Sequence, residues 1–304
     1  MPNANQKQII KEAINSFPVF ATHLWHFLRL PSPTPVQYQL ADYLQNGPNR
    51  RIIMAYRGCG KSFLTAGYVL WRLRKDPDTK VLVISAAQDR ADAFSVFCHD
   101  LLRNWFMVQD LFPSDTQRFS KVAFDVFGSK PDQSPSVRSS GIFGQITGSR
   151  ADLIVADDVE TPQSCETQLI RDKLRESIKE FDSVIKPGGE IVFLGTPHTQ
   201  DSIYAKLELA GYSPRIWPAI YPTAKKRKDY YQNRLAPKIA SDLDNDQTLA
   251  GHPTDPGRFG WEELEARKES IGRSTFNLQF LLDISLSDEE RFPLKLQDLC
   301  IFRL

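Results

Sequence analysis

The chemistry in this chain begins at eight residues, Ala55-Tyr56-Arg57-Gly58-Cys59-Gly60-Lys61-Ser62. The run Arg51-Ile52-Ile53-Met54, apolar after its arginine, leads into them, and a helix-compatible run from Phe63 to Leu73 leads out. A glycine-bearing loop between a strand and a helix suits a polyphosphate. Gly58 and Gly60 let the backbone turn its N–H groups toward the anion, and the positive end of the following helix favours the same charge. Lys61 has the reach to meet the β- and γ-phosphates of ATP, and the Ser62 hydroxyl can ligate Mg2+. Arg57, Gly58, Cys59, Gly60, Lys61 and Ser62 are therefore the candidate nucleotide contacts. The match to G-x-x-x-x-G-K-[ST] is imperfect, because Ala55 stands where the first glycine should be. A chance Gly-Lys-Ser in an ordinary turn is the alternative, and the strand and helix flanks argue against it.

Hydrolysis also needs a carboxylate on the metal and a group to orient water. Residues 152–160 read DLIVADDVE, in which four apolar residues deliver Asp157 to a strand end. Asp157 is the candidate Mg2+ ligand, and Asp158 and Glu160 compete for the role of general base. A buried strand ending in a solvated acidic turn is the alternative. Residues 190–197, EIVFLGTP, end a further strand at Thr196, whose hydroxyl can sense the γ-phosphate. In TPVQ (34–37) the amide of Gln37 can read adenine through one donor and one acceptor, and Gln39 is a weaker candidate. Negative charge that redistributes during phosphoryl transfer calls for an arginine. Arg57 can act within its own subunit, Arg150 can be supplied to a neighbouring one, and Arg138 is a third option.

These residues need a scaffold. Strands are expected over 51–56, 80–85, 121–127, 152–157 and 190–194, as apolar β-branched runs. Helices are expected over 6–30, 36–44, 61–75, 87–106, 164–181, 261–271 and 274–283, with a loop over 128–141 and irregular chain over 235–258. The alternation predicts a three-layer α/β P-loop fold with a mainly parallel central sheet. Lys61 and Asp157 lie 96 residues apart, which suits nucleotide motors carrying an additional strand between the two site strands. The expected divisions are an N-terminal helical and adenine-reading segment (1–50), an ATPase core (51–220) and a lid or linker region (221–304). The chain has 304 residues, 25% charged, with a formal net charge of +1, so nucleic-acid contact requires a local patch such as Lys225-Lys226-Arg227-Lys228. The four cysteines form no C-x-x-C pair, which argues against a disulfide frame or zinc site. No apolar run reaches membrane-spanning length, and the polar N-terminus shows no signal peptide.

Taken together, the chain resembles the ATPase portion of large terminase subunits, the DNA-packaging motors of tailed bacteriophages, nearest to the short-tailed T7-like podovirus type. The resemblance rests on RGCGKSFLTAGYVLWRL (57–73), QITGSRADLIVADDVE (145–160), FLGTPHT (193–199), IWPAIYP (216–222) and LAGHPTDPGRF (249–259), and it extends over essentially the whole chain. It implies a RecA-like core with an additional strand and a small helical lid. It also implies ATP and Mg2+ as cofactors and translocation of double-stranded DNA into a procapsid. The implied partners are a portal protein, a small terminase subunit and further copies of the chain, commonly in a ring of five, in the host cell cytoplasm. By motif, Lys61, Ser62 and Arg57 belong to the phosphate loop, Asp157 to the acidic strand, Asp158 or Glu160 to catalysis, Thr196 to coupling and Gln37 to adenine. The family also carries a C-terminal nuclease domain. STFNLQFLLDISLSDEE (274–290) resembles the link into it, and no later acidic strand pattern follows, so a motor without its nuclease is expected. A helicase-like ATPase and a non-hydrolytic assembly module are the rival readings.

Overall fold

The computed structural model describes residues 4–198 and 201–284. Seven strands form one sheet: β1 (Arg50–Ala55), β2 (Val81–Ser85), β3 (Ala123–Phe124), β4 (Val137–Gly141), β5 (Ala151–Asp157), β6 (Ile185–Leu194) and β7 (Ser213–Trp217). Their order is β3-β4-β2-β5-β6-β1-β7, with every pairing parallel except the short β3–β4 edge. Strands β1, β2 and β5 and the last four residues of β6 are buried almost residue for residue. Both faces of the sheet are therefore covered, which explains their unalternating apolar runs.

The helices in chain order are α1 (Ala4–Ala13), α2 (Phe17–Phe27), α3 (Pro35–Asn46), α4 (Lys61–Lys75), α5 (Gln88–Asn104), α6 (Gln168–Lys179), α7 (Phe181–Val184), α8 (Ile203–Leu209), α9 (Ala224–Lys226), α10 (Pro237–Asn245), α11 (Trp261–Ile271) and α12 (Arg273–Phe276). Helix α2 buries Phe17, Phe20, Ala21, Leu24 and Trp25, spaced to line one face. Each large side chain so buried contributes about 1.5–3 kcal/mol. That face meets α4, where Phe17 packs edge-on to Tyr68 with ring centroids 5.2 Å apart. The buried cluster runs without interruption from Ile10 to Leu282, so α1–α3 and the C-terminal segments share the core of the sheet. None of the described helices is long and apolar enough to cross a membrane.

Several elements depart from the expectation. The single helix over 6–30 is two helices, because Ser16 takes an extended backbone and Pro18 starts a new one. The strand over 121–127 shrinks to the two-residue β3, while the expected loop over 128–141 contains β4, buried beside β2. Strand β7 is led by Ser213 and Pro214, and α10, inside the expected irregular stretch 235–258, is a helix started by Pro237 that buries Ile239 and Leu243 one turn apart. The last helix stops at Phe276 and continues as a π-turn over Asn277–Leu281. The expected link beyond residue 284 lies outside the described residues. In the sheet, the strand between β1 and β5 is β6, and β2 (the strand expected over 80–85) lies on the far side of β5.

Candidate nucleotide site

Parallel pairing brings the C-terminal ends of β1, β5 and β6 to one edge. Ile53 on β1 and Asp157 on β5 both pair with Leu194 on β6, so these three lie in one row of the sheet. With strands about 4.8 Å apart, the loop after β1 opens about 10 Å from the carboxylate of Asp157. The loop residues Gly58 and Gly60 have φ of +88° and +92°, which a side chain would strain. Ala55 completes β1 in ordinary strand pairing with Trp217, so the place of the missing first glycine demands no left-handed backbone here. Lys61 opens α4, Ser62 is exposed in its first turn, and Gly60 offers no side-chain cap to the first N–H groups of the helix. These donors and the helix dipole face the opening. Lys61 Nζ donates to the carbonyls of Ala55 at 2.5 Å and Tyr56 at 3.3 Å.

Asp157 is half-buried. Burial and the neighbouring charge of Asp158 push its carboxyl up to about 7, while Lys61 and Arg90 oppose the rise. The loop that holds Lys61 and the strand end that holds Asp157 thus lie on either side of β6. Asp158 sits in the left-handed region at φ +46°, with its N–H donating to Leu194 O at 2.8 Å. Its carboxylate lies 4.0 Å from Arg90 at the start of α5 and stays partly open to solvent. Arg90 was missed in the sequence, where SAAQDRA shows no pattern beyond a strand-to-helix turn.

Glu160, the other general-base candidate, is enclosed by the segment that follows β6. It is 2% exposed, and its carboxylate accepts from His198 N at 2.7 Å, Ser202 Oγ at 2.9 Å and Ile203 N at 2.6 Å. Burial raises its pKa and these donors oppose the rise. Three donors already sit on this carboxylate, whereas that of Asp158 stays partly open to solvent. Gln37 is also committed. Its Oε1 accepts from Thr34 N at 3.0 Å and its Nε2 donates to Cys59 O at 2.9 Å. Thr34 and Gln37 form a capping box on α3, and the amide expected to read adenine braces the phosphate loop. Gln39 Oε1 accepts from Trp217 Nε1 at 3.3 Å.

The arginines divide. Arg57 is exposed, and both its N–H and its guanidinium turn to Gln279, on the carbonyl at 2.8 Å and the side chain at 3.1 Å. Arg150 is exposed at the opposite end of β5, donating to Ser183 O at 2.7 Å, so it stands apart from Asp157 in its own chain. Arg138 ties the 145–149 loop together through Ser149 and Gln145. Thr196 follows β6 half-buried beside Pro197. In the basic cluster, Arg227 pairs with Asp244 at 2.7 Å and Lys226 with Asp283, so half of its charge is spent internally.

A grip on the loop from the C-terminal region also went unread. Buried Asp255 accepts from Thr34 Oγ1 at 2.7 Å and Tyr56 Oη at 2.6 Å, and Arg258 Nε donates to Gly58 O at 2.9 Å. The Phe259 ring lies against Gly58. These residues fall in the LAGHPTDPGRF block, whose spacing carries no signal of its own.

The residues fit a magnesium nucleotide. The uncapped helix N-terminus, two left-handed glycines and Lys61 present donors and positive charge, and Asp157 and Ser62 present oxygen ligands. Among the described residues no three acidic, histidine or cysteine side chains converge. Mg2+ takes one or two protein ligands and otherwise water and phosphate oxygens, and Asp157 and Ser62 would be those two.

Fold and site together define a P-loop nucleotide-binding protein with an additional strand between its two site strands. Over 295 residues, 95% of its length, the chain is 44% identical to the large terminase subunit of Enterobacteria phage T3. It spans about half the length of that relative, 50%. No family model matches it. Among solved structures it is similar to a Thermus phage large terminase ATPase domain mutant (TM-score 0.49, 13% identity, 86% of this chain and 97% of that one). It is also similar to the large terminase of bacteriophage HK97 (TM-score 0.46, 14% identity, 82% and 50%).

Proposed function

We propose that this chain is the ATP-hydrolysing motor of a terminase large subunit, driving double-stranded DNA into a procapsid. The observation that carries the reading is the sheet register: Ile53, two residues before the phosphate loop, and Asp157 both pair with Leu194 of β6, which brings two distant segments to one sheet edge. Lys61 and the first N–H groups of α4 hold the polyphosphate, and Gln37 and Arg258 keep the loop in shape by bonding Cys59 and Gly58 carbonyls. Bound Mg2+, held by Ser62 Oγ and Asp157, would neutralise charge on the β- and γ-phosphates. Asp158 accepts the proton of the attacking water, and the products are ADP and phosphate. Arg150, on the outer end of β5, serves a neighbouring subunit, while Arg57 remains the arginine within the loop. Thr196 responds to the γ-phosphate.

The same reading places copies of the chain in a ring on a portal protein, with a small terminase subunit selecting the genome, in the host cytoplasm. Contacts to DNA run through phosphates, since a motor must not stall on sequence. Phosphate release measured with and without duplex DNA tests this. Lys61→Ala should lower turnover about a hundredfold or more, as loss of one transition-state contact does. Turnover equal to that of the parent chain would remove the loop from the site, and nucleotide binding without any release would favour an assembly module.

A further inference from the structure

We propose that Glu160 is a positioning residue, the joint through which movement of the Asp157–Asp158 tip reaches α8 and the basic segment beyond it. The inference rests on the nucleotide site proposed above. One residue, Val159, separates Asp158 from Glu160, and the left-handed backbone of Asp158 is what turns Glu160 inward. There its carboxylate gathers His198 N, Ser202 Oγ and Ile203 N, groups belonging to the segment that follows β6 and begins α8. The Cys165 thiol also bonds to it. A buried carboxylate with several donors resists letting go of them, because any donor released inside the protein loses its partner. Movement of the strand tip is therefore passed to α8 rather than absorbed.

A second feature lies in the same junction. Tyr204, in the first turn of α8, is 2% exposed, and its hydroxyl has no hydrogen-bond partner among the described residues. The charges of Glu160, Asp158 and Asp157 all bear on that phenol. Gly195, at the end of β6, admits it closely: a Cβ there would lie 1.8 Å from Tyr204 Oη. A rearrangement of the tip that brings a carboxylate to this buried donor would give it a partner. From the far end of α8, Glu208 reaches Arg234 at 3.7 Å, and Arg234 bonds the Tyr230 carbonyl next to residues 225–228. The route from the acidic tip to the basic cluster thus passes through Glu160 and one short helix.

Hydrogen exchange of the α8 amides, with and without magnesium and a non-hydrolysable ATP analogue, tests the joint. In the parent chain the analogue should change exchange over 201–212 about tenfold. In Glu160→Gln the change should fall below about twofold, with analogue affinity within about threefold of the parent. An undiminished α8 response in Glu160→Gln overturns the proposal while leaving the nucleotide site standing. A parent chain that binds no analogue overturns the site and the joint together. Should Glu160→Gln fail to fold, Ser202→Ala removes one of the three contacts. A response reduced about threefold supports the joint, and an unchanged one overturns it.

Discussion

Replacing Asp157 with asparagine should make the protein more stable while ending its chemistry. Asp157 carries charge into a half-buried strand end beside Asp158, and its carboxyl is pushed from the ordinary 3.8 up to about 7, by burial first and Asp158 second. A proton is then held more tightly in the folded chain than in the unfolded one. The sign follows: stability falls as pH rises from about 4 to about 7, and the full cost is present above that. At about 1.4 kcal/mol per pH unit the upper bound is about 4 kcal/mol. The side chain keeps contact with solvent, which screens it, so a gain on the order of 1–2 kcal/mol is expected for Asp157→Asn at pH 8. Urea unfolding at pH 5, 7 and 8 reads this as a higher midpoint for the variant, shrinking to about a third of its size by pH 5. Phosphate release should vanish in the same variant. A variant less stable than the parent at pH 8, or a gap that ignores pH, would refute the reasoning that burial and a like charge strain this carboxylate for function.

Other outcomes follow from the same geometry. Asp158→Ala should lower kcat by about 10²–10⁴ with nucleotide affinity little changed, whereas Glu160→Gln should retain turnover within about tenfold, as steady-state phosphate release would show. Glu190 accepts from Arg51 at 2.6 Å and Arg72 at 2.5 Å, and Arg51 has no exposed side-chain surface. Glu190→Gln takes the carboxylate from a buried guanidinium that keeps the carbonyls of Leu44 and Pro48 and the Tyr68 hydroxyl, and should cost about 1–3 kcal/mol in denaturant unfolding. Burial opposes the ionised form of Glu190, but the two arginines outweigh it and hold the carboxyl below its ordinary 4.5. The parent should therefore lose stability as pH falls below about 4.5, and the variant should lack that component.

How much could be read beforehand depended on whether the signal was local. The loop at 55–62 and the strand ending at Asp157 are each specified by consecutive residues, and both fold where the pattern places them. Strand β4 was not legible, because Val137-Arg138-Ser139-Ser140-Gly141 offers little apolar surface. It becomes a strand by being covered on the edge of β2. The roles of Asp158 and Glu160 were undecidable from spacing, since either carboxylate can reach the site on paper. What spacing does not show is the left-handed turn at Asp158, after which Glu160 lies in the β6–α8 junction. Gln37 carried both meanings in its neighbourhood: Thr34-x-x-Gln37 is a capping box as readily as an adenine reader. The contacts of Asp255, Arg258 and Gln279 join segments about two hundred residues apart in sequence, and no pattern within either segment foretells them.

Crystals grown with Mg2+ and a non-hydrolysable ATP analogue give the most direct test. The account predicts triphosphate oxygens on the loop amides and Lys61, with one metal shared between Ser62 Oγ and the Asp157 side. Nucleotide bound in another crevice, with Lys61 and Asp157 facing no common ligand, would contradict it.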